Sequence, residues 1–135
     1  MTTLVCGADR DFLDALEACT LPPEEFGHAA HVRAAYLYAR EHDFPEALGR
    51  MRRALRAYTA ALGKSDRYHE TITTAFVALI AQRLHEHGDQ AGWDGFARAH
   101  ADLFDCNVLR GYIPDSVLES DLARRVFVLP KRSAD

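Results

Sequence analysis

Apolar residues recur at three- and four-residue steps along most of the chain, the spacing of amphipathic helices rather than of strands. The cleanest run spans residues 45–62. Leu48, Met51, Leu55, Tyr58 and Leu62 share one face there, and Arg50, Arg52, Arg53 and Arg56 share another. A second strong run, residues 67–87, carries Tyr68, Ile72, Phe76, Leu79 and Ile80. Weaker stripes predict helices over 9–18 (Phe12, Leu13, Leu16), over 23–41, and over 91–104 (Trp93, Phe96, Ala97, Phe104). Pro114-Asp115-Ser116 reads as the start of a short helix reaching about Arg125, and Phe127, Val128 and Leu129 as an extended apolar strap laid on the body.

Punctuation agrees with these limits. Leu21-Pro22-Pro23 breaks the chain, and Pro23 suits a first helical turn, with Glu24 and Glu25 complementing the dipole there. Pro45 fits N1, with Asp43 or Phe44 before it; Gly63 and Gly88 are helix stops; Ser65 or Asp66 can cap the fourth helix. The pattern predicts an all-α, single-domain compact helical bundle of five to six helices over residues 1–135, with an extended C-terminal strap.

Composition narrows the function classes. A chain of 135 residues that is 48% hydrophobic and 27% charged is ordinary for one folded domain. The formal net charge of -4 argues against nucleic acid as a partner. No apolar run approaches the roughly 20 residues that cross a bilayer, and residues 1–7 lack the pattern of a secretory leader. The three cysteines, Cys6, Cys19 and Cys106, are scattered, which suits a reducing cytoplasm and small buried or half-buried side chains rather than disulfides.

Histidine carries the candidate chemistry. Of seven, His42, His85 and His87 sit among charged residues at helix C-termini, where imidazole meets dipole and water, and His100 flanks the stripe of the fifth helix. His28 and His31 are three apart and so share a helix face with Val32, Ala35 and Tyr38. His69 opens the fourth helix beside Ile72, Thr73 and Phe76. Should helices two and four be neighbours, three imidazoles converge. Three neutral imidazoles can hold a divalent Zn, Fe or Cu ion and leave a position open for water or substrate.

On this reading His28, His31 and His69 are metal ligands, Glu70 orients a ligand or moves a proton, and Tyr36 and Tyr68 line a substrate pocket. Glu25-x-x-His28 has carboxylate-bundle spacing but occurs once. The expected function is a small metal-dependent enzyme acting on a small molecule, open between hydrolase, lyase and oxygenase. Two alternatives stand beside it: a metal-free helical module binding a ligand or partner, and a metal-free acid–base enzyme using His28 or His69. Tyr36, Tyr38, Tyr68, Thr71 and Thr73 are near enough in sequence to serve the same imidazoles as purely structural partners. A homodimer is compatible with the sequence.

Phe26-Gly27-His28-Ala29-Ala30-His31-Val32, Tyr68-His69-Glu70-Thr71-Ile72-Thr73 and the segment from Asp121 to Val128 resemble a group of small bacterial hypothetical proteins with F-x-H-x-x-H and Y-H-E-T-I-T segments. The resemblance covers most of the chain and implies that the two histidine segments form one unit. It implies no catalytic role. Gly63-Lys64-Ser65 lacks the earlier glycine of a phosphate loop, Tyr58 standing in its place, and the arginine run on the third helix reads as a solvated face.

Overall fold

A computed structural model describes residues 7–88 and 92–130. Among them the chain forms seven α-helices and no strand, an all-α single-domain bundle. Cys6 and the expected start of the fifth helix at residue 91 lie outside the described residues.

Helix α1 (Gly7–Glu17) buries Leu13 and Leu16 and closes with Cys19 in the left-handed region, φ 61°. That turn lets the Thr20 amide reach back to Ala15 O at 2.9 Å, a Schellman-like stop without glycine. Helix α2 is shorter than the pattern predicts. Pro23–Glu25 form a separate 3-10 turn, and α2 runs His28–Glu41. Glu24 and Glu25 therefore do not lie in its first turn. The break occurs because Phe26 is drawn into the core, its ring 5.1 Å from Tyr58 and 6.4 Å from Phe12.

Val32 and every residue from Ala34 to Tyr38 are buried, so α2 is covered on more than one side. It packs on α3 (Phe44–Ala61) and α4 (Glu70–His87), and those two pack on each other; the three are the centre of the fold. Asp43 caps α3 by accepting from the Glu46 amide at 3.1 Å, with Pro45 in the first turn. Gly63, φ 71°, takes the chain out of α3. Ser65–Arg67 are a 3-10 turn, so neither Ser65 nor Asp66 caps α4.

Helix α5 (Trp93–Ala99) sits against α2, its Phe96 fully buried. The expected helix to residue 104 is interrupted at His100, whose backbone turns out of helical geometry before a 3-10 turn, Ala101–Phe104. The helix expected to reach Arg125 is two, α6 (Asp115–Leu118) and α7 (Asp121–Arg125), because the Ser120 hydroxyl accepts from the Ala123 amide at 3.1 Å and starts a new helix. Helix α7 packs on α4. The strap follows it, with Phe127 and Leu129 exposed. No helix among the described residues is long and apolar enough to cross a membrane.

Candidate functional site

Helices α2, α3 and α4 enclose a cavity of about 370 Å³. Its walls are largely apolar: Val32 from α2, Met51 and Leu55 from α3, Ile72 and Phe76 from α4. The polar exceptions are His28, His31, Thr73 and Cys106. The i, i+3 spacing that put both histidines on one face in sequence puts both on this wall.

Each of the two rings is fixed by a backbone carbonyl. His28 is the first residue of α2, and its Nε2 lies 2.8 Å from Leu103 O. A carbonyl only accepts, so Nε2 carries the proton and, in the neutral ring, Nδ1 keeps the lone pair. His31 Nδ1 lies 2.9 Å from Gly27 O, so its lone pair is on Nε2. Phe26 stacks on His31 at 4.0 Å, and Phe76 meets the His28 ring edge-on at 5.2 Å. Burial pulls the His31 pKa below the usual 6.5; the Gly27 carbonyl resists that pull and the neighbouring His28 adds to it. His31 is therefore a neutral hydrogen-bond acceptor at neutral pH.

His69 has a different role. It is the N-cap of α4: its Nδ1 accepts from the Ile72 amide at 3.1 Å, and its Nε2 donates to Leu118 O at 2.7 Å. Both nitrogens are occupied by backbone, and no lone pair is left for a metal. Among the described residues no three His, Cys, Asp or Glu side chains are placed to hold a metal ion together. The fold thus brings His28 and His31 together and does not complete the three-imidazole centre expected from sequence.

Glu70 and Tyr68 belong to neither cavity wall nor cap. Glu70 is gripped by Arg52 Nε at 2.8 and 3.1 Å and accepts from the Tyr68 hydroxyl at 2.6 Å. Burial, then the Glu70 carboxylate, push the Tyr68 phenol up to about 12. The carboxylate so held borders a second cleft rather than the histidine cavity. Tyr36 is not on the wall of the histidine cavity: it is fully buried, 4.7 Å from Phe96 and 5.4 Å from Trp93.

No protein-family model, curated protein or solved structure matches the chain.

Thr73, expected beside His69 as a partner of the imidazoles, lines this cavity instead, while nothing in the sequence places Cys106 beside a histidine. Cys106 is exposed, not buried or half-buried as its residue type suggested, and reaches the cavity from the segment between two 3-10 turns. No periodicity links that segment to α2. Thr73 shares its helix face with Phe76 and Val77, as helical spacing predicts.

Proposed function

We propose that this chain is a small-molecule-binding domain that needs no metal ion. Its ligand is mostly apolar, occupies the cavity between α2, α3 and α4, and donates hydrogen bonds to His28 and His31. The observation that carries this reading is the pair of imidazoles, each locked in one tautomer by a main-chain carbonyl, on a largely apolar wall. Such a wall gives a ligand its affinity through apolar burial and its orientation through one or two acceptors, the usual division of labour in small-molecule sites. The occupied nitrogens of His69 favour this reading over a metal enzyme.

The test is a ligand-observed NMR screen of small phenols and alcohols against their methyl ethers, with and without chelator. Phenols are expected to bind about tenfold more tightly than the matched ethers, the worth of one hydrogen bond in a partly buried site. His31→Leu removes that difference, and chelator changes nothing. A stoichiometric transition metal in freshly purified protein, lost in His28→Ala, would overturn the reading and restore the metal enzyme. Equal binding of phenols and ethers would overturn the role of the imidazoles.

A further inference from the structure

On another side of α3 and α4 lies a larger cleft, about 730 Å³, bounded by α3, the Ser65–Arg67 turn and α7. Arg56, Arg67, Arg124 and Arg125 line it, together with Glu70, Asp66 and Asp121. Two of the carboxylates are already matched. Arg52 holds Glu70, and Arg125 pairs with Asp121 at 2.8 Å.

The remaining cations are not neutralised to the same degree. Arg56 lies over the Tyr68 ring, 5.7 Å from its centroid, with no carboxylate partner among the described residues. Arg124 donates one N–H to the main-chain oxygen of Asp66 at 3.2 Å, which fixes the guanidinium and leaves its charge uncompensated. Arg67 makes no ion pair among the described residues. Three guanidinium groups therefore face one unpaired carboxylate, Asp66, in a chain whose formal net charge is -4. The local sign is opposite to that of the whole molecule.

We infer that this cleft is a binding site for a phosphate-bearing small molecule, separate from the histidine cavity. Guanidinium forks match phosphate oxygens two at a time, and arginines held in place by an aromatic face and a main-chain oxygen lose little freedom on binding. The volume is in the range of small-ligand pockets. The carboxylates on the rim disfavour an extended polyanion, whose neighbouring phosphates would meet Asp66 and Asp121.

Pyrophosphate is the probe, titrated into the full chain by calorimetry at about 0.15 M chloride so that bulk charge is screened. Saturable one-to-one binding is expected. Arg56→Ala with Arg124→Ala weakens it by about tenfold or more, as loss of charge-assisted hydrogen bonds requires. Arg50→Ala with Arg53→Ala removes the same charge from α3 outside the cleft and leaves the affinity unchanged. Circular dichroism of both double variants separates loss of the site from loss of the fold. Absence of saturable binding to the unaltered chain, equal weakening by both pairs, or tighter binding of a single-stranded oligonucleotide than of pyrophosphate would each overturn the inference.

Discussion

An imidazole that accepts at one nitrogen and donates at the other is complete, and His69 is in that state. Its ring satisfies one of the amides that every helix start leaves open, and it also ties α4 to the end of α6 through Leu118. Histidine is not among the usual capping residues, so a ring at a helix start beside an apolar stripe invites a ligand reading instead. The cap makes a stability prediction. His69→Ala is expected to cost about 2 kcal/mol, combining a lost cap with an unsatisfied carbonyl. His69→Asn keeps an acceptor for the Ile72 amide and recovers about half of that loss. Urea unfolding measures both. A cost near zero for His69→Ala, or no recovery in the asparagine variant, would show that the ring does something other than cap.

At the scale of elements, the C-terminal strap hangs on one hydroxyl. Thr71 is fully buried; its Oγ1 donates to Val126 O at 2.8 Å and accepts from the Val128 amide at 3.0 Å. The side chains of Phe127 and Leu129 are exposed, so apolar burial contributes little to holding the strap down. Thr71→Val preserves shape and removes both bonds. It is expected to destabilise the chain by about 1–2 kcal/mol and, more tellingly, to speed hydrogen exchange at the Val128 amide while leaving amides in the middle of α2 protected. Equal exchange at Val128 in both proteins would mean that something else anchors the strap. The strap itself was readable in sequence as an apolar run after a helix, but its anchor was not, because Thr71 is 55 residues from Val126. The same division runs through the fold. The cores of the helices follow from residues such as Met51, Leu55 and Tyr58, whose spacing is local. The break at Phe26 is set by burial of its ring against Tyr58 on α3, a distant element, whereas the Ser120 cap and the Phe96–His100 ring contact are local but leave no mark in the apolar spacing. In the site, His28 and His31 were legible as a pair because three residues on one helix guarantee a shared face. The capping role of His69 was not legible because its second partner, Leu118, is 49 residues away.

For the whole molecule, two partly or fully buried imidazoles set the response to acid. His31 and His100 both have pKa values below the usual 6.5, His31 chiefly through burial and His100 through burial and then the nearby Arg83 guanidinium, whose Nη1 lies 3.2 Å from its Nδ1. In the unfolded chain both rings titrate near pH 6.5. Between that value and their lowered folded values the unfolded state binds protons that the folded state refuses, so stability rises with pH across the window. The contribution is complete above about pH 6.5 and is lost as pH falls through the folded pKa values. Asp102 shifts the other way on the scale: Arg83 holds it below the ordinary carboxylate value, so its contribution is lost only below about pH 4. The two effects are therefore separable along one axis. Urea unfolding from pH 7 to pH 5 is expected to show a falling free energy in the unaltered chain. His31→Leu and His100→Leu each flatten that slope, whatever they do to stability at pH 7, because each removes one proton-binding site from the unfolded chain. Asp102→Asn removes a carboxylate that raises the His100 pKa, so it steepens the slope between pH 7 and pH 5 while flattening it below about pH 4. A slope that survives both leucine substitutions unchanged would assign the acid response to groups other than these two rings.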